Sequence, residues 1–132
     1  MSFGVRIINE TDYHQTLVGW WKDWRWTPPA ADFLPSFGVM VYKGDVDVCA
    51  GYLYATNSKV AWIEFIVSNF QYKDADRKEA IELLINELSG YAERAGFKYI
   101  YSSLKSQPLI KTYKKCGFQT GSENCTELIK IL

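Results

Sequence analysis

The sequence predicts an α/β fold in which a mixed, mostly antiparallel sheet carries helices on both faces. Short runs of β-branched and aromatic residues are separated by turn-forming residues, which is typical of strands. One long segment instead has helical periodicity and connects two such runs. A helix of that length allows a crossover between parallel or splayed neighbouring strands. We expect the ligand crevice of this sheet at the carboxyl ends of its central strands.

Length and composition predict a single globular domain over residues 1–132. Apolar residues make up 48% of the chain and charged residues 23%, a balance that excludes a disordered chain. The 15 basic and 15 acidic residues cancel, so the chain lacks the broad positive field that nucleic-acid binding requires. No nucleic-acid partner is therefore expected.

The cysteine and hydropathy patterns predict a cytoplasmic protein without a metal site or a disulfide framework. Cys49, Cys116 and Cys125 are odd in number and widely spaced, and His14 is the single histidine. No apolar run approaches the roughly 18–20 residues that a membrane-spanning helix needs. The amino-terminal residues also lack a signal-peptide pattern. We therefore expect a reducing cytoplasm and no association with a membrane.

The first half of the chain predicts one strand, one helix and a meander of three strands. The predicted strand Val5–Ile8 precedes a helix whose cap is Asn9, Thr11 or Asp12 and which ends before Pro28. Tight turns separate the meander strands, which are Phe37–Tyr42, Val46–Ala55 and Val60–Ser68.

The second half of the chain predicts a long amphipathic helix, a strand, a short helix and a last strand. Apolar residues recur at helical spacing over Asp76–Ala95 and form one stripe, and Gly96 follows as a helix-ending glycine. The next elements are the strand Lys98–Leu104 and the helix Pro108–Lys115. Cys125–Leu132 is the last predicted strand, which could pair between the subunits of a homodimer.

Two segments carry a resemblance to a known family. Trp62–Lys73 is an apolar strand followed by a short loop, and Ser106–Phe118 ends in the pattern Tyr113-x-x-x-Gly117-Phe118. In this order, and separated by an amphipathic helix and a strand, they resemble the central strand and the last helix of the Gcn5-related N-acetyltransferase (GNAT) superfamily. The chain is identified as a small single-domain member, and the resemblance covers essentially its whole length.

The resemblance implies the acyl-CoA N-acyltransferase fold and the transfer of an acetyl group from acetyl-CoA to a primary amine by direct attack. The acceptor would be a small-molecule amine or an amine of a protein. One alternative is a degenerate GNAT-like interaction module that does not bind CoA. Another keeps the transfer chemistry but takes the acyl group from a carrier protein or tRNA. Because fold does not fix function, the sequence does not name the acceptor.

The segment that would hold the pyrophosphate of the donor departs from the family pattern. The GNAT loop is R/Q-x-x-G-x-G/A at a helix start, where free amides and the helix dipole bind anions. Here Lys73 takes the place of the Arg or Gln, and Asp76 and Lys78 take the places of both glycines. Asp76 and Glu79 also form a capping-box pattern, which would occupy the helix-start amides with carboxylates. Lys73, Arg77 and Lys78 could instead form a positive clamp around the pyrophosphate.

The resemblance also assigns roles in the chemistry. Tyr113 matches the tyrosine that protonates the CoA thiolate, and a backbone amide near Ile66 or Val67 would polarise the thioester oxygen. Glu64 interrupts an otherwise apolar strand, and alternation places it on the face of Trp62 and Ile66. There it could accept the proton of the amine, with a pKa raised by apolar neighbours.

Each of these assignments has a structural alternative. Tyr113 could be a half-buried aromatic residue that packs the last helix on the sheet. Glu64 could be a carboxylate at a solvated sheet face or the partner of a nearby lysine or arginine. Ser103, at a predicted strand end, could bind the pantetheine amides of the donor or cap a turn.

Four of the five tryptophans are concentrated between residues 20 and 26. The resemblance places this segment in the acceptor-binding helix and loop, where Trp20, Trp24 and Trp26 could seat an amine by stacking or cation–π contact. Packing of the domain core is the alternative. Adjacent Trp20 and Trp21 cannot share one helix face, so at least one of them is expected outside the core.

Overall fold

The computed structural model describes residues 2–132, which form one five-stranded sheet with its helices. The strands lie in chain order and are β1 (Gly4–Ile7), β2 (Gly38–Lys43), β3 (Val46–Tyr54), β4 (Val60–Ser68) and β5 (Tyr99–Tyr101). The first three pairings are antiparallel, and β4 pairs with β5 in parallel. The predicted mixed, mostly antiparallel sheet is therefore confirmed.

The helices follow the predicted order, with one irregular start. A π-helical turn, Tyr13–Leu17, runs directly into helix α1 (Val18–Asp23), and a 3-10 turn follows at Ala31–Phe33. The two longer helices are α2 (Arg77–Arg94) and α3 (Gln107–Lys115). Within residues 2–132, none of the helices is long and apolar enough to cross a membrane.

Two apolar cores lie on opposite faces of the sheet because successive strand side chains point to opposite sides. On the α2 face, strand residues pack beneath α2 and α3, and the core includes Val39, Val41, Val48, Leu53, Ala61, Ile63, Leu84, Ile85, Leu88 and Tyr113. On the α1 face, the core consists of Leu17, Trp20, Trp21, Met40, Ala50, Tyr52 and Val67. Helices on both faces are therefore confirmed.

Trp20 and Trp21 are both buried, at 7% and 3% exposure, so the prediction that one of them lies outside the core is wrong. The segment after α1 returns to the core that contains both tryptophans. Tyr13 Oη donates a hydrogen bond to Pro29 O at 2.7 Å, and Leu34 packs against the same core. Both tryptophans are buried because residues of β2, β3 and β4, together with the returning segment, form one core around them.

A partly buried ion pair connects β1 to the first helical turn. The Asp12 carboxylate accepts hydrogen bonds from Arg6 Nη1 and Nη2, each at 2.9 Å, and from Asn9 N at 2.8 Å. The hydrogen bond from Arg6 lowers the pKa of Asp12 below its ordinary value. Of the predicted cap residues, Asn9 Oδ1 receives the amides of Thr11 and Asp12, whereas Asp12 makes no cap hydrogen bond.

A bulge in β4 changes which side chains share a face. Phe65 has a φ of +58°, a left-handed conformation that is unusual for an aromatic residue, and the pairing with β3 shifts between Ala50 and Tyr52. Before the bulge, Glu64 lies opposite Tyr52 and therefore on the α1 face. After it, Ile66 packs against the core of the α2 face.

The predicted alternation around Glu64 is therefore right for Trp62 and wrong for Ile66. Trp62 Nε1 donates to Glu64 Oε1 at 2.8 Å, so these side chains share a face. Gly51 lies across from the bulge, and a Cβ there would come within 2.9 Å of Ile66 Cγ1. This close approach is the physical reason for a glycine inside β3.

The prediction of a last strand at Cys125–Leu132 is wrong for the chain in this structure. These residues, all of them described, form no strand, and the side chains of Leu128, Ile129 and Ile131 are 88%, 67% and 93% exposed. Their composition favours extended backbone, but a strand also needs a partner edge. Because β5 is only three residues long, it offers a short edge for pairing.

Deleting residues 125–132 is expected to change the free energy of unfolding by no more than about 0.5 kcal/mol, because exposed residues outside packed features contribute little. Urea unfolding of the full and shortened chains measures this difference. Light scattering of the same samples tests the predicted pairing between subunits. If that pairing exists, the full chain is a dimer and the shortened chain is a monomer. A loss of more than about 2 kcal/mol in a monomeric sample would contradict the exposed position of this segment.

Candidate functional site

The strands β4 and β5 part where their parallel pairing ends. The pairing covers Val60–Trp62 and Tyr99–Tyr101, after which β5 stops while β4 continues to Ser68. The region where this pairing ends is called the β4–β5 notch and is defined by Trp62, Glu64, Ser102, Ser103 and Tyr113. It lies at the carboxyl end of β5, which is the edge strand of the sheet, and midway along β4, whereas the crevice was predicted at the carboxyl ends of the central strands.

Glu64 is held in the notch through one of its two carboxylate oxygens. Oε1 accepts hydrogen bonds from Trp62 Nε1 at 2.8 Å and from the backbone amide of Ser103 at 2.6 Å. Within residues 2–132, no hydrogen bond of ordinary geometry reaches Oε2, although the nearby Phe65 backbone amide also stabilises the carboxylate. Glu64 therefore has a fixed orientation and one oxygen with free acceptor capacity.

Burial raises the pKa of Glu64 above its ordinary value. The hydrogen bonds from Trp62 and Ser103 oppose this shift because they stabilise the carboxylate, and the negative charge of Glu127 adds to it. A carboxylate with a raised pKa is a stronger base than an ordinary one, which suits proton abstraction near neutral pH. The predicted raised pKa of Glu64 is therefore present for the predicted reason.

Tyr113 is held beneath the notch by both ends of α3. The helix starts at the Ser106 cap, whose Oγ accepts from Leu109 N, and ends at Gly117 with a φ of +98°. The amide of Phe118 donates back to Tyr113 O at 3.2 Å, and the two rings make an edge contact with centroids 4.9 Å apart. The Tyr-x-x-x-Gly-Phe pattern thus has a local cause, because the glycine ends the helix and the Phe118 ring packs against Tyr113.

Ser102 connects Tyr113 to the edge of β4. Ser102 Oγ donates to Ile63 O at 2.6 Å and lies 3.3 Å from Tyr113 Oη. Tyr113 is only 2% exposed, and this burial raises the pKa of its hydroxyl, with a smaller contribution from the charge of Glu64. The hydroxyl therefore keeps its proton near neutral pH. Ser102 was not predicted as a site residue, although its position at the predicted strand end next to Ser103 was a signal.

The two predicted catalytic side chains reach the notch from opposite faces of the sheet. Glu64 lies on the α1 face, and Tyr113 belongs to the core of the α2 face. A proton acceptor on one side and a proton donor on the other side of a gap can serve two different reacting groups. The two side chains therefore approach the notch from different sides, with Tyr113 in the core and Glu64 partly exposed.

The predicted donor-binding basic residues come together at the connection from β4 to α2. Lys73 and Lys78 are exposed, and Arg77 is half-buried with its Nη1 donating to Tyr72 O at 3.2 Å. Ile66 and Val67 are in the last part of β4, just before this connection.

The predicted capping box at the start of α2 is wrong. The Asp76 carboxylate makes no hydrogen bond to the helix amides. Its oxygens instead accept from Lys43 Nζ and Tyr72 Oη, each at 2.7 Å, and the bond from Lys43 lowers the pKa of Asp76. The first-turn amides are therefore not covered by this carboxylate, and Lys43 balances its charge.

Trp24 and Trp26 lie beside this basic connection together with Phe70. The Trp24 and Trp26 rings are stacked, with centroids 5.7 Å apart and planes 19° apart, and Phe70 meets Trp24 edge-on at 4.8 Å. We call these three rings the aromatic platform. Trp20 is buried in the α1-face core and is not part of it. Phe70 was missed because nothing in its sequence neighbourhood links it to the tryptophans.

No family model matches this sequence, and no curated protein is significantly similar to it. Solved structures, by contrast, share its fold. An acetyltransferase from Trypanosoma brucei is 15% identical with a TM-score of 0.66 over 97% of this chain and 100% of that one. The ribosomal-protein-S18-alanine N-acetyltransferase from Escherichia coli is 12% identical with a TM-score of 0.71, over 92% and 80%.

A third structure was solved with its ligands in place. N-acetylglutamate synthase from Neisseria gonorrhoeae, in complex with coenzyme A and N-acetyl-glutamate, is 14% identical with a TM-score of 0.72. The match covers 94% of this chain and 30% of that one. At such low identity these similarities establish the fold alone. The chain therefore has the Gcn5-related N-acetyltransferase fold that its two motifs predicted.

Proposed function

We propose that this protein transfers an acetyl group from acetyl-CoA to a primary amine by direct attack. One observation carries the proposal: Glu64 and Tyr113 reach the β4–β5 notch from opposite faces, with Glu64 Oε2 free to take a proton. The similar fold of N-acetylglutamate synthase, which was solved with coenzyme A, supports acetyl-CoA as the donor. The proposal therefore assigns the donor thioester and the acceptor amine to this notch.

In the proposed reaction, the nitrogen of the amine forms a bond to the thioester carbon and the bond from that carbon to sulfur breaks. Glu64 takes a proton from the amine through Oε2, directly or through one water, and later releases it to solvent. Tyr113 gives its phenolic proton to the leaving thiolate and regains a proton from water. A backbone amide at Ile66 or Val67, just after the bulge, would polarise the carbonyl oxygen.

The donor would be held by the basic connection between β4 and α2. Lys73, Arg77 and Lys78 supply three positive charges at the start of a helix whose dipole also favours anions. They would take over the role of the two missing glycines. The residues fit an anionic donor because the nearby Asp76 carboxylate is paired with Lys43 and does not cover the helix amides.

The acceptor would approach Glu64 from the α1 face. The Glu64 carboxylate and the negative charge of Glu127 make this side of the notch attractive to a cation. A protonated amine therefore suits this side, whether it belongs to a small molecule or to a protein. The free Oε2 is the atom to which its proton would pass.

Acetyl-CoA is expected to bind the purified protein with a micromolar Kd that weakens as salt is added, because Lys73, Arg77 and Lys78 carry the phosphate contacts. Lys73→Ala should weaken binding by roughly five-fold, which corresponds to about 1 kcal/mol for one exposed charge contact. Isothermal titration calorimetry measures both effects. Lys98→Ala, which removes an exposed lysine at the opposite end of β5, is the matched control and should not change the Kd.

Two results of this titration would contradict parts of the proposal. Absence of binding at millimolar acetyl-CoA would exclude this donor and favour a GNAT-like interaction module. Equal weakening by Lys73→Ala and Lys98→Ala would show that general charge, and not the β4–α2 connection, attracts the donor.

A further inference from the structure

We infer that the aromatic platform (Trp24, Trp26 and Phe70), together with Lys73 and Arg77, binds the adenine nucleotide end of the acyl-CoA donor. The platform would replace the glycine loop by stacking the base and pairing the phosphates. This inference rests on the proposed function and assigns one part of its donor to a particular surface. It follows from the exposure of the rings, their charged neighbours and their distance from the notch.

The platform presents open ring surface to solvent. Trp26 is 50% exposed and Phe70 is 39% exposed, whereas most other aromatic residues of the α1 face are in the core. Trp26 stacks on Trp24 and is still half exposed, so part of its ring surface is open to solvent. An aromatic base stacked there would bury apolar surface that is otherwise in contact with water.

The end of α1 holds Trp26 in this position at a conformational cost. Arg25 adopts a φ of +62° after the helix, where a glycine is usual, and the Trp26 amide donates back to Trp21 O at 2.9 Å. A non-glycine residue in this conformation is disfavoured. The backbone therefore directs the Trp26 ring back towards Trp24 and does not let it extend into solvent.

The charges around the platform select an anionic ligand. Arg77 Cζ lies 5.6 Å from the Trp24 ring centroid, and Lys73 Nζ lies 5.5 Å from that of Phe70. These rings already have cationic partners, so a cationic amine would meet two like charges. A ligand with an aromatic base and phosphate groups would instead stack on the ring and pair with both cations. For this reason we place the donor nucleotide, and not the acceptor amine, on these tryptophans.

The platform lies at a suitable distance from the notch. Trp24 Nε1 donates to Ser68 O at 2.8 Å, which fixes the platform at the carboxyl end of β4. Glu64 and Ser68 are four residues apart on that strand, a separation of at most about 13 Å at the usual rise per residue, because the bulge at Phe65 lies between them. The extended pantetheine arm that joins the thioester to the nucleotide can follow the strand over such a distance.

The test uses adenosine 3′,5′-diphosphate, acetyl-CoA and inorganic pyrophosphate as calorimetric probes of the full chain. Trp26→Ala is expected to weaken the binding of both nucleotide-containing probes about ten-fold. Stacking of one base on an aromatic side chain contributes about this much affinity in other proteins. Trp26→Tyr should restore most of the affinity because it keeps an aromatic surface. Pyrophosphate has no base, so its binding should be insensitive to Trp26→Ala and weakened by Lys73→Ala. Urea unfolding confirms that each variant is folded.

The outcomes separate this inference from the proposed function. If wild type binds acetyl-CoA and Trp26→Ala binds it equally well, the platform is not the nucleotide site and the proposed function is unaffected. If adenosine 3′,5′-diphosphate binds through Trp26 but acetyl-CoA supports no transfer to any amine, the site stands and the proposed function fails. Tighter binding of tetramethylammonium than of the nucleotide, lost in Trp26→Ala, would overturn the inference in favour of a cationic ligand.

Discussion

Replacing Glu64 with glutamine is expected to lower kcat/KM for acetyl transfer by about 100-fold, the usual contribution of a positioned general base. The glutamine side chain keeps an oxygen that can accept from Trp62 Nε1 and from the Ser103 amide, so the notch should keep its geometry. What it loses is the ability of Oε2 to take a proton. Steady-state kinetics with an amine acceptor and acetyl-CoA measures the change.

The pH dependence distinguishes this role from a structural one. The folded-state pKa of Glu64 lies above its ordinary value, so wild-type kcat/KM should rise as pH increases through that pKa. The pH profile of the glutamine variant should lack the rise caused by Glu64. It should keep only the rise caused by deprotonation of the acceptor amine. Identical pH profiles for wild type and Glu64→Gln would remove Glu64 from the proton transfer.

Stability provides the control for Glu64→Gln. A raised carboxyl pKa means that the folded state binds the proton more tightly than the unfolded state does, so stability falls as pH rises between the unfolded and folded pKa. Glutamine does not ionise, and the variant at pH 7 should be as stable as wild type or more stable. Glu93→Gln, at an exposed position of α2, is a matched removal of one charge and should not change activity.

Replacing Tyr113 with phenylalanine is expected to lower kcat by about 100-fold while leaving the Kd for acetyl-CoA unchanged. The phenyl ring keeps its edge contact with Phe118 and its place in the α2-face core. Ser102 keeps Ile63 O as its hydrogen-bond partner, so no buried polar atom loses its only contact. The variant therefore removes the proton donor and little else.

Turnover and donor affinity must be measured on the same preparation, by steady-state kinetics and calorimetry. Tyr99→Phe, which removes an exposed hydroxyl at the start of β5, is the control and should behave as wild type. Equal turnover of Tyr113→Phe and wild type would leave Tyr113 with only a packing role. A parallel fall in donor affinity would instead indicate that the hydroxyl helps to bind the donor.

The sequence by itself predicted the overall fold and the order of the elements as far as α3. The long stripe of α2, the β2–β3 hairpin and the Tyr113-x-x-x-Gly117-Phe118 pattern carry local signals that arise from residues within one turn or one strand of each other. Glu64 was also identifiable, because a carboxylate inside an apolar strand is conspicuous without any knowledge of its neighbours. These features depend on short-range chemistry, which the order of residues contains directly.

The tertiary structure decided the features that depend on contacts between distant segments. The bulge at Phe65 sends Ile66 to the α2 face, because the pairing with β3 and not the local sequence sets the register. Lys43 and Tyr72 draw Asp76 away from the helix amides, and so the predicted capping box does not form. In the same way, residues of β2, β3 and β4 form one core with both adjacent tryptophans.

The site combines both kinds of information. Strand and helix signals identified Glu64 and Tyr113 separately, but only the packing of α3 against the sheet shows that they reach one notch from opposite faces. Trp24 and Phe70 are 46 positions apart in sequence and meet at 4.8 Å, a contact that no local pattern encodes. The exposed segment at 125–132 is the opposite case, because its local composition predicted an element that the tertiary structure does not contain. Its composition favours a strand, yet a strand forms only where another edge completes its hydrogen bonds.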